Sequence, residues 1–386
     1  MRGLLPTSRG FMMRHEPLRK VAHLAHCPPD PSAARVEKRR DIAIAVALAG
    51  ALAACTVGCG PPPPPVPAWS IVMEELSGAL VSVWGTSATD VYSVGGSAGT
   101  GNGPEAWHYD GTTWTLLPTG LPDTVILWWV FGFEGGPVYM VGTGGTVVRY
   151  DPATSTFSAP ETTPDTKTLF GVWGSSPTDL WTVGGNVAGA AGQEVAWHSD
   201  GTGTWVSSPL PAAADTIALF KVWGNATDDV WACGADGVIT YWDGATWSDV
   251  SSGTDQESLF TVVTDGTRAV AVGGFGNGLY TEWDGSAWNL TTPVAAPQFN
   301  GVWLTATEDF IVGARGTIWS RPGGPDAVLG SFAAVDGVPA LASSSLDFHA
   351  VWVDPTGGVW AVGGDLLGSF DRGVMVHREP PPPPQD

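Results

Sequence analysis

The chain has 386 residues with 52 Gly, 32 Pro and 20 Trp and only 14% charged residues, which excludes both a disordered chain and an ordinary helical domain. Its 17 Lys and Arg stand against 38 Asp and Glu, a formal charge of −21, and a surface of that sign repels nucleic acid and anionic headgroups as ligands.

Residues 1–35 match no export signal, because the basic residues that fit one begin at Lys38; they read as a leader ahead of a start at Val36. Lys38-Arg39-Arg40, the apolar run Ile42 to Ala54 and then Cys55 give the basic, apolar and small-residue order of a signal peptide over 36–54. Leu52-Ala53-Ala54-Cys55 resembles a bacterial lipobox, and the resemblance implies acylation of Cys55 and a lipid-anchored protein at the outer membrane or cell surface. The competing reading is an uncleaved membrane helix over Ile42 to Gly60, but this run is mostly Ala and Gly and at or below the ~20 strongly apolar residues a span needs. Without residues 1–54, which hold nine basic and four acidic residues, 8 Lys and Arg face 34 Asp and Glu, a charge of −26. Residues 55–68 form a linker in which Pro61 to Pro65 make an extended spacer, and residues 379–386 a Pro-rich tail; a ligand for a Pro-recognition domain is the alternative reading of each. Cys59 and Cys233 make no disulfide framework.

From residue 69 onward one pattern recurs seven times, anchored at Trp84, Phe131, Trp173, Trp223, Val263, Trp303 and Trp352, at intervals of 47, 42, 50, 40, 40 and 49 residues. A four-stranded propeller blade takes roughly 40 to 50 residues, so each interval is one blade and 69–378 predicts a seven-bladed, all-β propeller. In each copy a first strand apolar on both faces, such as Leu169-Phe-Gly-Val-Trp173, lies innermost. A second ends in Val-Gly-Gly, as at Asp179 to Gly185, and a third in Asp-Gly, as at Tyr241-Trp-Asp-Gly244. A short fourth opens on Trp114, Trp205, Trp247 or Trp288; Asp-Gly before it marks a hairpin, because both residues tolerate positive φ. The seventh copy lacks a fourth strand and Trp69 to Val72 precedes the first, so these four residues are expected to close the ring on the last blade.

The order apolar strand, Val-Gly-Gly, Tyr-Asp and aromatic, closest in Val138 to Phe157, resembles the kelch repeat. The stretch Cys233 to Trp247 is similar to the Asp-box and photosystem-assembly-factor type of bacterial propeller, although the Gly-Gly pair is incomplete in the second, fourth and sixth copies and a full Asp box is absent. Both resemblances imply the fold; neither names an activity.

Candidate chemistry is sparse. Regular placement of Trp argues for packing between blades, and a carbohydrate-stacking platform would need several of them in solvent. His108, His198 and His377 share one third-strand position on separate blades, too far apart for one metal site. Asp90, Asp179, Asp229 and Asp309 read as turn caps, and only Asp228-Asp229 and Glu308-Asp309 are doubled enough to suggest calcium; no other cofactor or metal is expected. A sialidase-like enzyme would need an arginine cluster, whereas Arg149, Arg268, Arg315, Arg321, Arg372 and Arg378 are scattered, and no nucleophile elbow or phosphate loop is present. Cys233 stands where other copies have Val.

The expectation is therefore a monomeric, non-enzymatic surface module that binds a protein or glycan, with a secreted glycan-acting enzyme and a purely structural envelope protein as alternatives. Long loops after the second strands, at 97–105, 186–194 and 365–373, share one rim and point to Asn102, Glu105, Gln193, Glu194, Asp365, Phe370 and Arg372 as binding residues.

Overall fold

The computed structural model describes residues 68–214, 216–251, 257–322 and 332–380; Cys55, the signal-like segment, the proline spacer and most of the tail lie outside them. Seven four-stranded antiparallel sheets make the blades, and six use consecutive strands, as in Leu80–Ser87, Asp90–Ser97, Pro104–Tyr109 and Trp114–Leu116. In the seventh, Asp347–Val353, Val359–Asp365 and Asp371–Arg378 are completed by Trp69–Leu76. The closing strand pairs from Trp69 opposite Arg378 to Leu76 opposite Gly373, twice the length the sequence suggested. Arg372 adds an exposed ion pair to Glu75 at 3.1 Å. The ring thus closes with no blade left an unpaired sheet edge between its two termini.

The Val-Gly signature has a steric cause. In every blade the first Gly faces the backbone where the innermost strand begins, and a Cβ there would lie 1.9 Å from the Ala79 carbonyl at Gly95, 2.0 Å from Thr168 at Gly184 and 1.8 Å from Asp347 at Gly363. That close approach accompanies a β-bulge at the residue after the leading Leu or Phe of all seven innermost strands: Val81, Trp128, Phe170, Phe220, Phe260, Asn300 and His349. The second Gly is needed only in some blades. Where it is missing, after Gly142, Gly234 and Gly313, the chain turns at once through three residues, with Gly144, Asp236 and Arg315 at φ of 70°, 59° and 61°. Blades two, four and six therefore have tight loops, and the longer ones fall on the others.

The Asp-Gly turns differ in detail from the expected hairpin. Gly111, Gly244 and Gly285 take φ of 91°, 91° and 97°, but the Asp before each keeps a negative φ. Its carboxylate instead accepts two backbone N–H groups ahead, as Asp110 does from Thr112 and Thr113 at 2.8 Å.

All 20 tryptophans are buried or half-buried, and many fill the space between blades: Trp181 meets Trp242 and Trp247 of the next blade at 4.8 and 5.1 Å between ring centroids. None supplies the exposed face a sugar platform would require. Cys233 is fully buried and its thiol points at the Leu259 carbonyl. Among the described residues no helix is long and apolar enough to cross a membrane.

Candidate functional site: the mouth of the central channel

The bulges determine what faces the ring axis. In a regular strand the residue after the leading Leu or Phe would alternate away from its neighbours; the extra residue re-aims it. Trp128, Phe170, Phe220 and Phe260, the bulged residues of four successive blades, form a continuous arc with ring centroids 5.3, 5.6 and 5.8 Å apart. Phe370 extends the arc at one end, 5.3 Å from Trp128, and Phe275 at the other, 5.5 Å from Phe260. The remaining wall, from blades six and seven, is polar: Gln298, Asn300, Asp347 and His349. Together they enclose a cavity of about 250 Å³.

Deeper in the channel Lys221 is fully buried, its ammonium against the Trp129 and Trp223 rings with no carboxylate in reach among the described residues. Burial pushes its pKa well below the ordinary lysine value. At the far rim Trp84, Phe131, Trp223 and Trp303 lie 5.1, 5.8 and 5.3 Å apart in succession and occupy the axis from blades one to six. The channel is thus a cup, open on the rim of the long loops and closed below. A shallower depression of about 400 Å³ on the closed side is lined by Trp223, Trp303 and turn residues.

Of the seven residues expected from loop length, Phe370 lines the cup. It does so from a left-handed backbone, φ 56°, with its carbonyl accepting the Ala79 N–H at 3.1 Å and its ring over Gly96, where a Cβ would come within 2.9 Å. Asp365 accepts the Gly368 N–H at 2.8 Å and shapes the same loop. Glu105 is only 2% exposed: its carboxylate accepts Gly78 N–H and Trp107 Nε1–H, and burial raises its pKa. Asn102 donates to Ala98 O in a loop held outward by Asp123, which takes the N–H groups of Gly101 and Gly103. Gln193 donates to the Gly192 carbonyl of its own loop, Glu194 accepts the Thr216 N–H from the connection that leads into the fourth blade, and Arg372 is held by Glu75. The aromatic arc was missed, although a bulky aromatic at the second position of four successive copies was its visible signal.

Two expectations about charged residues are corrected. Asp309 is not a turn cap: it is fully buried between blades five and six, with both oxygens on Arg268 and a second contact to Arg321 at 3.1 Å. Nor are all the arginines scattered, since Arg268 and Arg321 converge there, and Arg321 also meets Glu282 at 3.0 Å. That pair is neutralised internally by Asp309 and Glu282. His108 and His198 each bond the Asp of their own blade, Asp90 at 2.8 Å and Asp179 at 2.7 Å, and that carboxylate accepts Thr86 or Ser175. The carboxylate stands between hydroxyl and imidazole, so the imidazole does not deprotonate the hydroxyl. Among the described residues no three His, Cys, Asp or Glu converge as a metal site.

No family model matches the chain, and no curated protein matches it. Its fold is similar to solved propellers. A structure described as YCF48 bound to D1 peptide is 14% identical, covers 81% of this chain and 99% of its own, and superposes with a TM-score of 0.58. YCF48 from Cyanidioschyzon merolae gives 12%, 81%, 99% and 0.59. The WD40 propeller domain of Doa1 gives 13%, 81%, 97% and 0.60. At these identities the likeness establishes a β-propeller fold.

Proposed function

We propose that this chain is an exported, lipid-anchored, non-enzymatic propeller that holds a protein partner at the open mouth of its central channel. The observation that carries the reading is the one-sided cup, with Val187, Phe275 and Leu367 left 56%, 67% and 87% exposed on the loops around it. Large apolar side chains clustered in solvent at a concave site mark an interaction surface. The YCF48 structure with a D1 peptide supports a peptide as the kind of ligand such a scaffold takes, and it fits the photosystem-assembly-factor resemblance better than the kelch one. The lipobox supports anchoring through Cys55, with the propeller raised from the membrane by the proline spacer.

A photo-crosslinking residue in place of Phe275 or Leu367, tested in the native membrane, should capture one protein partner that the same residue at Ser248, in an outer strand, does not. Capture lost in Phe275→Asp and Leu367→Asp would support the mouth; equal capture from Ser248 would overturn it. Mass spectrometry should find an acylated N-terminus at Cys55, and an acylated, membrane-bound Cys55→Ala chain would refute the anchor.

A further inference from the structure

The two walls of the cup differ in chemistry, and the difference selects an occupant. On the aromatic side the arc from Phe370 to Phe260 offers apolar surface and ring π-electrons. On the other side the protein's own hydrogen bonds engage one N–H each of Gln298 and Asn300 and leave three acceptors to the cup. His349 Nδ1–H donates to Val81 O at 2.6 Å, so its Nε2 lone pair is left over. Burial pushes this imidazole down to about 4, which keeps it neutral. Asp347 uses one carboxylate oxygen on the Arg315 N–H at 2.7 Å and has the other to offer. Gln298 donates its amide to Asn300 Oδ1 at 2.8 Å, leaving its own carbonyl oxygen unbonded, and Asn300 donates to Phe348 O at 2.8 Å.

We propose that the cup receives a cationic side chain on an apolar stem, a lysine or arginine presented by a segment of the partner protein, with the stem along the aromatic arc and the charged head against Asp347, His349 and Gln298. This rests on the mouth being the partner site. A purely apolar group would strip water from three acceptors and return nothing, while a carboxylate would be set against the Asp347 carboxylate. An ammonium or guanidinium satisfies them and is also attracted by aromatic faces, and its methylene stem matches the arc. At about 250 Å³ the cavity lies below the roughly 300 Å³ where drug-sized sites begin, room for one long side chain rather than a folded segment. The chain's charge of −21 draws cations toward it. The unmatched indole N–H groups of Trp128 and Trp129 suit backbone carbonyls of the segment that carries the cation. Of the cations nearby, Lys221 is held deeper against Trp129 and driven toward its neutral form, and Arg315 acts on Asp347 without lining the cup.

The test uses the full chain and fluorescent acetyl-Leu-X-Leu-amide peptides with X as Lys, Arg, norleucine or Glu, read by polarisation. The Lys and Arg peptides should bind at least tenfold tighter than norleucine, with Glu weakest. Asp347→Asn should erase that preference, whereas Phe370→Ala should weaken every peptide, with melting curves confirming both variants folded. If Asp347→Asn does not fold, the peptide series on the unaltered chain still decides. Norleucine binding as tightly as Lys would overturn the cationic occupant but leave the mouth as the partner site. Preference for Glu would make Lys221 the recognition group and overturn it as well. Binding untouched by Phe370→Ala and Phe260→Ala, or no binding of any peptide, would remove both the occupant and the mouth.

Discussion

Replacing Asp309 with Ala removes the shared anion of a buried cluster and strands Arg268 between blades five and six. Arg321 keeps Glu282 at 3.0 Å, but Arg268 retains only the longer contacts to Asp265 at 3.5 Å and Glu282 at 3.8 Å. Breaking a buried pair by deleting one partner costs about 3–5 kcal/mol, since the other charge stays buried without compensation. The residual contacts place this case near the lower end, about 3–4 kcal/mol. With roughly 300 described residues at about 2.1 cal/mol/K each, the unfolding entropy is ~0.63 kcal/mol/K and the melting temperature should drop by about 5–6 °C. Calorimetry of Asp309→Ala, Arg268→Met and the double variant would measure both the loss and the coupling. The double variant should recover part of the loss, because it buries no stranded charge. A drop under about 1.5 °C for Asp309→Ala, or strict additivity of the two changes, would refute the reasoning.

Three further outcomes follow from the same structure. A chain beginning at Ser77, without the strand Trp69–Leu76, should melt lower and aggregate, whereas one beginning at Pro61 folds; equal melting temperatures would reject closure by that strand. Lys221→Met should be neutral or stabilising, as a buried cation without a counter-ion is exchanged for a thioether of similar length. Because the folded pKa of Lys221 lies below its unfolded value, the unfolded chain binds the extra proton, so stability of the parent relative to Lys221→Met should rise with pH toward 10.5, and a flat difference would argue against a desolvated amine. His349 has a folded pKa of about 4 against 6.5 unfolded, so its contribution is lost as pH falls from 6.5 to about 4, and His349→Gln should lack that part of the acid limb; identical pH profiles would count against burial of the imidazole.

The blades were legible in the sequence because strand period, turn chemistry and repeat length all pointed to one answer. Ring closure was legible for a related reason: a repeat lacking its fourth strand and an orphan strand before the first left one arrangement without open edges. Asp309 was misread because in one dimension it aligns with Asp90 and Asp179, whose carboxylates do bond turn hydroxyls and histidines. Its different fate comes from Arg321, directly opposite on the next strand of the same blade, and from Arg268, 41 positions away, which the ring brings in from the blade before. Glu105 failed as a loop ligand for a similar reason. Its loop is long, but the carboxylate turns inward to Gly78 and Trp107, a choice fixed by the start of the innermost strand of its blade.

The cup itself depends on a feature that strand alternation alone does not announce, the bulge after the leading Leu or Phe of each innermost strand. Without it, the apolar-on-both-faces reading buries Trp128, Phe170, Phe220 and Phe260 between blades. With it, these residues turn to the axis and Leu127, Leu169, Leu219 and Leu259 fill the space between blades instead. The glycine opposite each bulge makes the turn feasible, since any side chain there would collide with the preceding carbonyl. Thus the Val-Gly signature, read first as a fold marker, is also what aims the site. The fold needs the glycine in all seven blades, whereas the residue at the bulge is free to vary, as Val81, Asn300 and His349 demonstrate. Separation of that kind lets a rigid ring change its ligand without changing its blades, and it explains why one side of the cup is aromatic and the other accepts hydrogen bonds.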